Sequence, residues 1–285
     1  MEWIERLNNA VNYIEENLSE NISVDEAAKI ACCSTYHFQR MFAYMADMPL
    51  SEYIRRRRMS IAAVDLQSGD GKVLDISLKY GYDSPTAFNR AFKSVHGISP
   101  SQAKEEGIIL TSYPPISFQI TIKGVSAMNY RVEKKEAFRI VGISKPLEKE
   151  IEKNFIIVPQ MWGEAAMNGT IQRLASMMDG KTKGLLGISL CNEADSWRYY
   201  IGVESNQQRS NDLEEVIIQE STWAIFSGEG SNSSIQELEK RIVTEWLPTS
   251  GYEYGNAPDI EVYYNADPNN SIYEVWIPIV RKDVK

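Results

Sequence analysis

Two kinds of residue clusters in this chain have types and spacings suited to chemistry. In the stretch CCSTYHFQRMF, Cys32 to Phe42, Cys33 and His37 stand four residues apart and on a helix would share a face, as a metal site or a Cys/His pair requires. The same stretch offers Tyr36, Gln39 and Arg40 on an exposed helix surface, side chains able to read base edges in a DNA groove. Far along the chain, Glu261 and Tyr263 in IEVYYNA alternate onto one strand face, as do Glu274 and Trp276 in IYEVWIPI. A carboxylate among large rings suits a lipophilic cation, through charge and cation–π attraction. The plainer reading has the glutamates in solvent and the rings in a core. Trp162, Tyr199 or Tyr200, Trp223 and Trp246 supply further rings.

The first stretch has a second copy. Ser34 to Phe42 and Ser84 to Phe92 share the frame S-x-x-x-F-x-R-x-F. In each, Ser is placed to cap a helix, and Phe38/Phe42 or Phe88/Phe92 face inward at i, i+4. Each copy follows a short helix and a tight turn, the helix-turn-helix order. The second copy has Ala87 where the first has His37, so a Cys/His function does not repeat. The positions matching Tyr36, Gln39 and Arg40 are Thr86, Asn89 and Arg90. Arg40, Arg55, Arg56, Arg57, Arg58, Arg90 and Lys93 gather around the two helices and their connector, as phosphate contacts would. For the Arg55–Arg58 run a solvated helix face is the alternative, with at least one member turned to an acidic neighbour or the backbone.

The elements that must position these residues divide the 285-residue chain in two. Residues 1–108 read as helix after helix: a stripe Trp3, Leu7, Val11, Ile14, Leu18, a capping box at Ser23 and Glu26, and stops at Pro49, Gly69 and Gly81. Residues 109–126 read as linker and lead-in strand. From 127 to 285, β-branched and alternating runs dominate, with helical windows near Phe155–Met178 and Ser233–Trp246. Strand AFRIVG, helix, strands GLLGIS and RYYIGV repeat as TWAIFS, helix, IEVYY and YEVWIPI. The expected fold is two domains, all-α followed by α+β with duplicated β-α-β-β units around an antiparallel sheet.

Composition bounds the rest. The net charge is −9; counting the first 107 residues gives 12 basic against 15 acidic, −3, leaving −6 for the remainder. DNA contact therefore requires a local basic face. Three cysteines fit a reducing compartment, and no apolar run is long enough to span a bilayer, so a cytoplasmic protein without membrane contact is expected. With two histidines, no C-x-x-C and no phosphate-binding glycine motif, neither metal nor cofactor is expected, nor enzyme activity.

The first 105 or so residues, through GYDSPTAFNRAFKSVHGISPSQAK, resemble the AraC/XylS family DNA-binding domain. The resemblance implies two helix-turn-helix subdomains, double-stranded DNA as partner, and transcriptional regulation, usually activation by contact with RNA polymerase. Its base-reading positions fall on Tyr36, Gln39 and Arg40, then on Pro85, Thr86 and Arg90. From Met128 to Pro278, with YRVEKKEAFRIVG, PQMWGEA and EWLPTSGYEYGNAPDIEVY, the chain resembles the GyrI-like effector-binding domain. That implies a small-molecule pocket whose central acid is Glu261, with Glu274 as second candidate. Trp162, Tyr199, Trp223, Tyr263 and Trp276 are its expected lining. A hydrolase using Glu261 and Glu274 as acid/base partners, and a protein-interaction module, are the alternatives.

Overall fold

The computed structural model describes residues 2–69, 71–119, 127–191, 197–265, 267 and 270–282. The chain divides into two compact units, Met1–Ile120 and Thr121–Lys285. The first is helical: α1 (Glu2–Glu16), α2 (Val24–Ile30), α3 (Thr35–Ala46), α4 (Leu50–Gln67), α5 (Val73–Lys79) and α6 (Pro85–His96). Local chemistry sets these boundaries. Ser23, Ser34 and Ser84 each accept a hydrogen bond from the backbone N–H three residues on, capping α2, α3 and α6. Left-handed Asp47 ends α3, and left-handed Gly97 (φ 75°) ends α6. Phe38, Phe42, Phe88 and Phe92 are wholly buried, so both copies of the repeated frame insert their aromatic pair into a core.

Residues 109–119 form no strand. They run across the helical unit, with Thr111 N–H donating to His96 Nδ1, Tyr113 N–H to Ser60 Oγ and Ile116 N–H to the Tyr53 hydroxyl. Asn8 closes both backbone groups of Phe118, whose ring meets Phe42 edge-on at 5.6 Å. The helical unit therefore continues past residue 108, because the sequence supplies polar side chains that satisfy this extended backbone one group at a time. The part of the expected lead-in strand at 120–126 lies outside the described residues.

The second unit is built on an antiparallel sheet: β1 (Tyr130–Lys135), β2 (Phe138–Pro146), β3 (Leu185–Cys191), β4 (Trp197–Glu204), β5 (Glu214–Ile218), β6 (Ser221–Gly230), β7 (Tyr252–Tyr254), β8 (Asp259–Tyr263) and β9 (Ser271–Arg281). Their order is β1-β6-β9-β8-β3-β4-β2-β5, with β7 beside the end of β9. The units β2-helix-β3-β4 and β6-helix-β8-β9 meet at the β3/β8 pair, which confirms the duplication. The sequence reading missed β5 and β7, both short. The expected helix 155–178 begins earlier, as α7 (Ile151–Met167), and breaks at Gly169 (φ 82°) before α8 (Thr170–Ser176). The second window is α9 (Asn232–Arg241), which widens into a π-type turn at Ile242–Trp246.

The sheet is rolled. The links β1–β2 and β5–β6 each contain two residues yet join strands at opposite ends of the order. A flat sheet would separate β6 from β2 by about 24 Å, five steps of ~4.8 Å. Instead the Phe138 and Trp223 rings lie 6.2 Å apart. Inside the roll are Ile140, Ile188, Tyr200, Trp223, Ile225, Ile260, Val262 and Trp276. The other face packs against the helices, with Phe226, Val275, Ile277 and Ile279 against Ile235, Ile242 and Trp246.

Candidate functional site

The β8/β9 register decides which expected residues meet. Glu261 lies opposite Val275, and Glu274 opposite Val262. Directly paired residues share a sheet face and neighbours in a strand alternate, so Glu261 and Glu274 project to opposite faces. Glu261, Tyr263, Tyr199 and helical Trp162 come together on the outer, helix-covered face. Glu274, Trp276 and Trp223 lie on the inner face.

On the outer face a hydrogen-bonded chain converges on one carboxylate oxygen. Trp162 Nε1 donates to the Tyr199 hydroxyl (3.0 Å), which donates to Glu261 Oε2 (3.1 Å). The Tyr263 hydroxyl donates to the same oxygen at 2.9 Å. The Trp162 and Tyr263 rings meet edge-on at 5.0 Å. Burial first, then the charge of Glu261, raises the Tyr263 pKa well above the ordinary phenol range, so this hydroxyl remains a neutral donor. Trp162, Glu261 and Tyr263 are half-buried, whereas Tyr199 is buried. Asn154 anchors the start of α7, the helix that carries Trp162, by exchanging two 2.9 Å hydrogen bonds with the backbone of Glu148.

Two contributors escaped the sequence reading. Gly187 of β3 pairs with Glu261, and a Cβ there would lie 2.2 Å from the Tyr199 hydroxyl and 2.9 Å from Glu261 Oε2. Its missing side chain is the space the chain of donors occupies. Glu239 is buried at a core position of α9, between Ile235 and Ile242, and its charge also acts on Tyr263. The signal available was a carboxylate at the helical spacing of those two isoleucines.

The inner-face glutamate is buried, and its ion-pair partner is an exposed arginine. Arg131 of β1 grips Glu274 with both guanidinium nitrogens, at 2.7 and 3.1 Å, and Trp276 Nε1 donates to it at 2.8 Å. Burial alone would raise the Glu274 pKa, but the donors Arg131, Trp276 and Tyr264 bring it below the ordinary carboxylate value. Lys135 sits 4.4 Å above the Trp276 ring, and Trp223 is fully buried. With the two carboxylates on opposite faces, they cannot act together as an acid/base pair on one substrate.

In the helical unit, Tyr36, Gln39 and Arg40 were expected on an exposed surface; they are only 8, 8 and 9% exposed. Arg40 folds back along its own helix, donating from Nε to the Tyr44 hydroxyl at 3.2 Å and lying near the Tyr36 and Tyr44 rings. Thr86 and Arg90 of α6 are exposed and Asn89 is half-buried. The Cys33/His37 pairing does not form a site. His37 Nδ1 is 2.9 Å from Ser34 Oγ, and burial pushes the Cys33 thiol up to about 12. Among the described residues no group of three His, Cys, Asp or Glu could hold a metal ion. No described helix is long and apolar enough to cross a membrane.

A family profile described as a GyrI-like small molecule binding domain matches residues 128–280, more than half of the chain. The chain belongs to the GyrI-like family. A second profile, a helix-turn-helix domain, matches residues 27–106, giving this GyrI-like chain an AraC-type helix-turn-helix region. The HTH-type transcriptional activator AarP of Providencia stuartii is 46% identical over 89 residues, 31% of this chain and 66% of AarP, so the chain spans just under two thirds of that relative. The right origin-binding protein of Escherichia coli K12 is 24% identical over 284 residues, 94% of this chain and 96% of its own. Among solved structures, SAV2435 bound to tetraphenylphosphonium is 20% identical with a TM-score of 0.46, covering 54% of this chain and 94% of that one.

Proposed function

We propose that this chain is a transcriptional regulator, acting in the cytoplasm, that binds double-stranded DNA through its helical unit and a lipophilic cation through its GyrI-like unit. The observation that carries the ligand class is the convergence of Trp162, Tyr199 and Tyr263 on Glu261. A half-buried carboxylate among ring faces attracts a flat or aryl-substituted cation by charge and by cation–π contact. For DNA, the open residues of α6 (Thr86, Asn89 and Arg90) and those of α3 (Tyr36, Gln39 and Arg40) are the base-edge candidates. Base reading by Arg40 requires its guanidinium to leave the two tyrosine rings. The likeness to AarP, a named transcriptional activator, supports activation as the direction of regulation, and contact with RNA polymerase is the route proposed for it. The ligand acts as a switch to the extent that it binds the DNA-competent and incompetent states unequally.

The test is a selection of duplexes from a randomised pool by the full chain, followed by titration of the selected duplex with and without tetraphenylphosphonium. Salt-sensitive, sequence-preferring binding whose affinity shifts with the cation is the expected result. No enrichment of any sequence, or no heat of cation binding by calorimetry, overturns the corresponding half of the reading.

A further inference from the structure

The run Arg55–Arg58 looks in sequence like a phosphate-binding face, but the structure employs it otherwise. Arg55 and Arg56 both pair with Glu52, one turn earlier on α4. Arg57 is buried and grips Glu15 of α1 while donating to the Tyr113 carbonyl. Arg58 does something different from the other three. Its Nε donates to the Leu18 carbonyl at 2.9 Å and its Nη2 to the Glu20 carbonyl at 2.8 Å, both in the turn leading from α1 to α2. The same guanidinium lies against Gly81, in the turn between α5 and α6, where a Cβ would come within 3.0 Å of Nη1. Gly81 has φ 78°, so that turn is held by a glycine on two counts, backbone conformation and proximity to Arg58. One planar, charged group thus bridges the α1–α2 turn, which leads into the first helix-turn-helix, α2–α3, and the turn within the second, α5–α6.

We propose that Arg58 sets the spacing and rotation at which the two recognition helices meet DNA, making it a specificity-determining residue that touches no base. This rests on the DNA-binding reading above. Tandem units joined by a rigid connector engage successive major grooves only when their half-sites lie at one separation. A single inserted base pair advances the second half-site by about 3.4 Å and turns it by roughly 34–36°. A joint clamped at Arg58 cannot follow that change, and an unclamped one can.

The experiment takes the duplex selected by the wild-type full chain and lengthens or shortens it by one and two base pairs between half-sites. Wild type should lose about tenfold or more in affinity with one inserted base pair, as for a mismatched contact. Arg58→Met should flatten the profile, losing less than about threefold per inserted pair, with Arg58→Lys between the two because it keeps charge but not the fork. The salt dependence separates this from a phosphate contact, whose removal would lower the log–log slope by about one; the clamp predicts an unchanged slope. A profile as sharp in Arg58→Met as in wild type, an equal loss at every spacing, or a slope reduced by one overturns the proposal. Should Arg58→Met lose its helical circular dichroism, Arg58→Lys carries the comparison. Failure of the wild-type chain to select any duplex would instead remove the DNA-binding reading on which the proposal rests.

Discussion

Glu261 and Glu274 occupy adjacent strands of one sheet, yet the two carboxylates have opposite employment. Glu274 is buried on the inner face and clasped by Arg131 and Trp276, and these donors hold it ionised against the cost of burial. Glu261 is met by two phenol hydroxyls and an indole chain on the helix-covered face, at a position half open to solvent. Burying a carboxylate is costly in either place. What differs is the kind of donor: a guanidinium brings a balancing positive charge, whereas phenol and indole groups donate hydrogen bonds and bring none. The first arrangement suits structure and the second suits recognition of a cation.

The largest expected effect comes from unpairing the structural member. Arg131→Ala should destabilise the chain by about 2 kcal/mol, below the ~3–5 kcal/mol typical of a broken buried pair because Arg131 is 43% exposed. Thermal unfolding across pH tests the cause. In the wild type the depressed Glu274 pKa contributes stability above the unfolded value of about 4.3, lost as pH falls through the lower folded value. Removing Arg131 takes away a main donor and lets burial push this pKa upward, so the deficit should shrink as the solution is acidified. A deficit that stays constant or grows toward low pH would argue against Glu274 as its source.

Next in size, Glu261→Gln should cut affinity for tetraphenylphosphonium by about tenfold, roughly 1.4 kcal/mol, while changing the melting temperature little. Calorimetry and melting on the same preparation check both halves, and equal loss in Glu274→Gln would erase the distinction between the two carboxylates. Gly187→Ala sharpens the comparison from the other side of the strand pair. The added methyl must displace the Tyr199 hydroxyl, so overpacking by ~1–2 kcal/mol and weaker cation binding should appear together. The smallest effect belongs to Tyr199→Phe, about 1 kcal/mol, because it removes one donor to Glu261 and one acceptor from Trp162. A change in indole fluorescence should accompany it, and none would indicate that Trp162 does not depend on that hydroxyl.

The helical unit was largely legible because its signals are local. A serine caps by reaching three residues forward, and Phe38/Phe42 share a face through helical geometry alone, so spacing in the chain is spacing in space. The course of residues 109–119 was not legible, since its partners Asn8, Tyr53, Ser60 and His96 are scattered along the sequence. The course of the Arg40 side chain was not legible either, since a flexible cation with tyrosines one turn away on either side can lie along its own helix. Arg58 illustrates the same limit, for nothing in a run of four arginines says which one faces two turns of backbone.

By itself the sequence determined the two-domain order, the repeated S-x-x-x-F-x-R-x-F frame, the duplicated strand pattern, and the pairing of an acid with a ring on each of β8 and β9. Those are properties of periods two and 3.6, which operate within one element. Only the tertiary structure decided that Glu261/Tyr263 and Glu274/Trp276 occupy different faces. That outcome depends on the register Glu261 to Val275, and a shift by one residue would have exchanged the faces of β8 relative to β9. Alternation says which residues of a strand go together, whereas pairing between strands says which of the two carboxylates joins the core.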